Sequence, residues 1–166
     1  MPAVKTAALI TTLTASLLTS GAAHAKKDRE PDHGIYVSPG VLVGGAKTFE
    51  GGTGLSVGGE VSVSYFMGGA VGGVVDGLYD LEREAGRVMV GPMLTFGTWG
   101  FDGGYLLEVG EGSRHGGAFR AFVTLGYVCV YLRYGALVDA RDYVEGGLLL
   151  KLPLNVSPGK PWLYWP

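Results

Sequence analysis

The sequence predicts an all-β protein: an eight-stranded antiparallel up-and-down transmembrane β-barrel, preceded by a cleaved N-terminal signal peptide. Three observations carry this. From Gly34 onward, side-chain character alternates with a period of two, the signature of strands with one apolar face. The apolar face carries no Asp, Glu, Lys or Arg in any of the eight candidate strands. Connections alternate between longer polar segments and very short ones, the pattern of an outer-membrane barrel with loops at one end and tight turns at the other.

The chain has 166 residues, with 13 Lys plus Arg, 15 Asp plus Glu, 30 Gly, 8 Pro and one Cys. That length suits one domain. Apolar residues make up 47% and charged residues 17%, a balance opposed to disorder, which needs low hydrophobicity and high net charge. A single cysteine excludes an internal disulfide framework and any multi-cysteine zinc site. The net charge of −2 supplies no broad basic field for nucleic acid.

Residues 1–25 read as an address. Lys5 gives the positive start, residues 6–18 form a mostly apolar stretch, and small residues end in Ala23-His24-Ala25, an A-x-A cleavage site. A spanning helix needs about 20 predominantly apolar residues. This core is shorter and is interrupted by Thr11, Thr12 and Thr14, so cleavage is the expectation over an uncleaved anchor. Residues 26–33 follow as a polar, charge-mixed tether, residues 34–156 as the barrel, and residues 157–166 as a Pro/Trp-rich tail.

The clearest strand is 55–67. Leu55, Val57, Val61, Val63, Tyr65 and Met67 alternate with Ser56, Gly58, Glu60, Ser62 and Ser64. Before it, Ile35, Val37, Val41 and Val43 oppose Tyr36, Ser38 and Gly40. In 70–81, Val71, Val75, Tyr79 and Leu81 oppose Gly72, Asp76 and Asp80, with Val74 and Leu78 blurring the pattern. Val88, Val90, Pro92, Leu94 and Phe96 oppose Arg87, Met89 and Gly91. Trp99, Phe101, Tyr105, Leu107 and Val109 oppose Gly100, Asp102, Gly104 and Glu108. Phe119, Ala121, Val123, Leu125 and Tyr127 oppose Arg120 and Thr124. Val130, Leu132, Tyr134, Ala136 and Val138 oppose Cys129, Tyr131, Arg133 and Gly135. Val144, Leu148, Leu150, Leu152 and Leu154 oppose Glu145, Gly147 and Lys151. Strands of about ten residues are what a tilted strand needs to cross a bilayer.

Segments 44–53, 82–86, 110–117 and 139–142 are the expected loops, and Gly68-Gly69, Gly97-Thr98 and the neighbourhood of Gly126-Tyr127 the expected turns. An eight-stranded barrel has a narrow interior filled by side chains. Small and ionised residues fit that lumen and large apolar ones fit hydrocarbon, whereas a soluble lipocalin-like barrel reverses the two. Tyr65, Phe96, Trp99 and Tyr127 lie beside the turns, and Tyr79 and Phe119 nearer the opposite rim, as interface aromatics do.

On these residues, 34–156 resembles the small eight-stranded outer-membrane barrels of OmpA/OmpX type, a likeness of architecture without an active-site motif. Glu145-Gly146-Gly147-Leu148-Leu149-Leu150-Lys151-Leu152 is similar to the last-strand signal of such proteins: polar, any, Gly, two of any kind, apolar, any, apolar. The resemblance implies a Gram-negative outer membrane as location, and outer-membrane lipid and the assembly machinery as partners of a monomer. Proteins of this type usually finish on a terminal aromatic, whereas this chain continues through residues 157–166, where Trp162, Tyr164 and Trp165 offer an interface anchor or a loose tail.

The interior charges are the strongest candidate site: Glu60, Asp76, Asp102, Glu108 and Glu145 with Arg87, Arg120, Arg133 and Lys151. Isolated burial of a charge costs several kcal/mol, so these must pair across the lumen or be hydrated. They predict a plug of mutually neutralising charges, with Glu60, Asp76 and Asp102 nearest mid-strand facing Arg120 and Arg133, or else a polar pathway in which abundant interior glycine leaves room for water. Ser113 and His115 support a different reading, a lipid-modifying enzyme with Asp139 or Asp142 as third group, since a nucleophile needs a base in reach. His24 goes with the leader and His33 sits alone in the tether, so no metal site is expected. Cys129 points inward as a small filler. Glycine pairs do not open helices, so no cofactor is implied. The function expected is that of an integral outer-membrane protein without catalytic residues, structural, adhesive or weakly permeable. The alternatives are the lipid-modifying enzyme and a secreted soluble barrel binding a small apolar ligand.

Overall fold

The structure, a computed structural model, describes residues 33–49, 52–110, 112–138 and 141–161. The expected leader, residues 26–32 of the tether and the tail aromatics Trp162, Tyr164 and Trp165 lie outside the described residues. The strands are β1 Gly34–Thr48, β2 Thr53–Phe66, β3 Ala70–Asp80, β4 Ala85–Phe96, β5 Trp99–Val109, β6 Ser113–Leu125, β7 Val128–Leu137, β8 Tyr143–Lys151 and a two-residue β9 Leu154–Asn155. Each of β1 to β7 pairs antiparallel with its successor, and β8 returns to β1, so the sheet closes into an eight-stranded up-and-down barrel. No helix occurs among the described residues.

β9 is the end of β8 resumed in the same register. Lys151 faces Gly40, the Leu152 N–H donates to the Pro39 carbonyl at 2.9 Å, and Leu154 faces Val37. Pro153 has no N–H to give to the ladder, which interrupts the strand without redirecting it.

The register fixes the barrel's shape. Paired neighbours lead from Tyr36 through Ser64, Gly72, Met93, Asp102, Arg120, Arg133 and Glu145 to Ala46, ten residues further along β1. A stagger of this size in eight strands requires a tilt of about 40°, so each residue rises about 2.5 Å along the axis. The 11 residues of β3 therefore reach about 25 Å from rim to rim.

Side-chain direction follows parity. In β2, Leu55, Val57, Val61, Val63 and Tyr65 point outward and are exposed, while Glu60 and Ser62 are 3% and 1% exposed. Val74 and Leu78, which blur the sequence pattern of β3, point inward and are buried. The lumen has apolar layers of its own, among them Leu42, Val74, Met89, Met93, Leu106, Phe122 and Leu149. The bulky outward set is the reverse of a soluble barrel that encloses an apolar ligand.

Strand limits differ from the expected ones at two loops. β1 runs to Thr48 and β6 begins at Ser113, so both strands extend through glycine-rich, polar stretches that read as loop. The connections at this end are residues 49–52, 81–84, 110–112 and 138–142. At the other end, Gly97-Thr98 and Gly126-Tyr127 are two-residue turns with Gly97 at φ 59° and Gly126 at φ 68°. A positive φ at the first central residue followed by an ordinary one is the type II′ pattern, which needs glycine there and no Asn-Gly or Asp-Gly signal.

Inward glycines permit the curvature. A Cβ at Gly58 would lie 1.9 Å from the carbonyl oxygen of Gly77, whereas one at Gly59, which faces outward, would meet nothing nearer than 3.6 Å. Gly58→Ala is expected to lose about 1–3 kcal/mol, the cost of overpacking against backbone. Gly59→Ala is expected to be neutral or to gain about 0.5 kcal/mol from restricted unfolded-state freedom. Urea unfolding of the two variants in detergent, followed by tryptophan fluorescence, separates them.

Candidate functional site

Alternation along β2 to β8 turns a set of ionised side chains into a space with no room for bulk water. The centre is Arg120 of β6. Its Nε donates to Asp102 Oδ1 and Oδ2 at 3.1 and 3.0 Å, and its Nη2 donates to Asp102 Oδ2 at 2.6 Å and to Glu60 Oε2 at 2.5 Å. Asp102 is its neighbour on β5, while Glu60 reaches it from β2 across the lumen. On the far side, Lys151 Nζ lies 2.5 Å from Glu60 Oε1.

Arg120 and Arg133 are directly opposite each other on β6 and β7, both pointing inward. Like charges in that position destabilise a sheet. Asp76, from β3 on the opposite wall, offsets this: Arg133 Nη2 donates to Asp76 Oδ2, and Arg120 Nη1 lies 3.6 Å from the same oxygen. One carboxylate thus serves two guanidinium groups.

From Arg133 the chain of charges continues toward the loop rim. Arg133 Nη1 is 3.9 Å from Glu145 Oε1, and Glu145 Oε2 is 3.1 Å from Arg87 Nη1. Arg87 Nη2 is 3.6 Å from Asp80 Oδ2 and donates to Ser56 Oγ at 3.0 Å. Arg83, in the β3–β4 loop, lies 3.8 Å from Asp80 Oδ2. Five carboxylates therefore meet five cations in one connected cluster.

Tyrosines complete it. The Tyr131 hydroxyl donates to Glu145 Oε1 at 2.7 Å, and the Arg87 guanidinium sits 4.4 Å above the Tyr143 ring. Both rings occupy space vacated by glycine: a Cβ at Gly44 would lie 2.4 Å from the Tyr131 hydroxyl, and one at Gly135 would lie 2.3 Å from the Tyr143 ring. Interior glycine, read from the sequence as room for water, is here room for aromatic side chains and for neighbouring backbone.

Burial makes this cluster a plug. Arg87, Arg120, Arg133, Tyr143 and Glu145 are at most 1% exposed, and Lys151 shows 13% of its side chain. Toward the turn end Met93, Phe122, Cys129 and Leu149 form an apolar layer. Among the described residues Ser62 Oγ, Asp76 Oδ1 and Arg133 Nε have no hydrogen-bond partner, so the cluster keeps polar valences in reserve. The arrangement can hold charges fixed and exclude free ions.

The structure brings together Glu60, Asp76, Asp102, Glu145, Arg87, Arg120, Arg133 and Lys151. Glu108 stands apart, paired at 3.3 Å with Arg114, whose side chain is half exposed. Asp80, Arg83, Ser56, Tyr131 and Tyr143 join although charge alternation does not single them out. Asp80 shares the parity of Asp76, which was a usable signal; Arg83 lies in a loop and had none. Ser113 and His115 are corrected from loop to strand. Both point outward from β6. His115 stacks on Tyr105 at 6.4 Å, and Asp142 accepts a hydrogen bond from the Tyr134 hydroxyl. Asp139 lies outside the described residues. Among the described residues no group of three or more His, Cys, Asp or Glu is arranged to hold a metal ion.

Comparison with protein-family models and with curated proteins finds no match for this chain.

Removing one member of a buried ion pair typically costs about 3–5 kcal/mol, because the partner is left charged and dry. Asp76→Asn is expected to cost that much, leaving Arg120 and Arg133 opposed. Adding Arg133→Met to it restores the balance of charge and is expected to recover at least half of the loss. Guanidinium unfolding midpoints of the parent, single and double variants check this, and a single variant as stable as the parent contradicts it.

Proposed function

We propose that this chain is an integral outer-membrane protein of non-enzymatic character, a barrel set in the bilayer whose lumen is shut by its own charges. The observation that carries the reading is the inversion of polarity. Large apolar side chains stand exposed on the outer face of all eight barrel strands, from Ile35 and Val41 on β1 round to Leu148 and Leu150 on β8. Soluble monomers rarely expose contiguous apolar patches above a few hundred Å², and here the patch encircles the molecule.

Its limits fit a bilayer. Outward strand residues carrying a charge, an imidazole or an aliphatic hydroxyl are Lys47, Thr53, Ser113 and His115, all at the loop edge. Tyr65, Phe96, Trp99 and Tyr127 mark the turn end. Tyr79, Tyr105 and Tyr134 come to a similar height near the loop end once the ten-residue stagger is applied, with Phe119 slightly inside them and stacked on Phe101 at 6.0 Å. The band between the two rings approaches the apolar height of about 25 Å expected of outer-membrane barrels.

In this reading the turns, the start of β1 and the end of β9 face the periplasm, and the loops face outward. The segment from Glu145 to Leu152 lies on the closing strand, where an assembly signal belongs. Loops of three to five residues leave little surface for adhesion. The filled lumen favours a structural role over permeation.

Two measurements test the proposal. The protein is expected in the detergent-extracted envelope fraction with a gel mobility that changes on boiling; release without detergent contradicts it. Val41→Arg places a charge at mid-height on the outer face and is expected to cost about 2–4 kcal/mol of folding stability in lipid vesicles. A soluble barrel would tolerate that change or benefit from it.

A further inference from the structure

The plug reaches the loop-side mouth of the barrel. Asp80 is the last residue of β3, Arg87 the third of β4 and Ser56 the fourth of β2, positions at the mouth where water would be expected to reach. All three are at most 1% exposed. Against them lie the Tyr143 ring, 4.4 Å from the Arg87 guanidinium, and the β3–β4 turn, residues 81–84. Asp80 Oδ1 accepts the backbone N–H groups of Glu82 and Arg83, each at 3.2 Å, which folds the turn inward. The Arg83 side chain then lies across the opening, its Nη2 donating to Thr48 Oγ1 of β1 at 2.6 Å and its Nε 3.8 Å from Asp80.

We propose that this turn is a lid, latched by Arg83 onto Thr48, over the polar mouth formed by Asp80, Arg87 and Ser56, which small hydrophilic solutes reach when the latch opens. Three features fit a movable element. The latch is one hydrogen bond and one long ion contact from a side chain 32% exposed, the kind of interaction that solvent weakens. Glu84 sits at φ 50°, the one described non-glycine residue in the left-handed region, so the turn is locally strained. The floor does not depend on the lid: Glu145 holds Arg87 from below at 3.1 Å, and the layer of Met93, Phe122, Cys129 and Leu149 seals the turn half. Opening the lid therefore uncovers these three side chains without creating a through-pore. This holds whether the outer face meets lipid or detergent.

The test is thiol accessibility in the folded full chain in micelles. Ser56→Cys puts a reporter beneath the lid, and native Cys129, 1% exposed in the turn half, reports any general loosening in the same molecule. A charged, water-soluble thiol reagent is expected to modify position 56 slowly while Arg83 is present. Arg83→Ala, and separately Thr48→Val, are expected to speed modification at position 56 at least tenfold with Cys129 still protected and heat-modifiable mobility retained. Arg83→Lys is expected to fall between. Equal rates at position 56 with and without the latch overturn the proposal, as does fast modification with Arg83 in place, or modification of Cys129 in step with position 56.

Discussion

Arg120 can place its charge only among Glu60, Asp102 and Asp76, because its side chain is wholly buried and no bulk water reaches it. A buried guanidinium without partners would be prohibitively costly. The strands that supply those partners are thereby fixed relative to one another. Glu60 and Arg120 are 60 residues apart, and Asp76 and Arg133 are 57 apart, on strands that do not pair. Backbone ladders join each strand to its neighbours; these ion pairs join opposite walls. They also penalise slippage, since a one-residue shift would turn every inward charge outward and every outward valine inward.

Neutrality of the cluster follows from the same constraint. Asp76 between two arginines and Glu145 between Arg133 and Arg87 alternate sign along the lumen, so no member is left facing a like charge alone. Satisfying the charges inside leaves the exterior free to be apolar, and the outer surface shows its own compensation. Gly103 faces Phe119 across β5 and β6, and Gly117 faces Tyr105, so aromatic rings cover positions that have no side chain. A Cβ at Gly103 would approach the Phe119 ring to 3.4 Å.

Parity made the strands and the inward charges legible in the sequence, because both depend only on alternation along a single strand. That Glu60, Asp76 and Asp102 face Arg120 and Arg133 was legible from their mid-strand positions; the individual pairings were not. Which carboxylate meets Arg120 depends on the ten-residue stagger, a property of closure that no single strand encodes. The ends of β1 and the start of β6 were hidden because Gly44-Gly45 and Gly116-Gly117 carry turn-like chemistry, while in the barrel they are places where backbone or a tyrosine passes close. The mixed face of β3 resolves once the lumen is seen to contain apolar layers as well as charges. Asp80 and Arg83 were missed for opposite reasons, one ranked below a neighbour of the same parity and the other placed in a loop where no periodicity operates.

The dependence of everything on side-chain direction can be read directly by methyl NMR of the folded protein in bicelles, with one paramagnetic label in the acyl chains and another in the water. The expected result is strong broadening of Val43, Val75 and Leu132 methyls by the acyl-chain label alone, with Leu42, Leu106 and Leu149 protected from both. Broadening of those outward methyls by the water-borne label, or of the three inward leucines by the acyl-chain label, would contradict it.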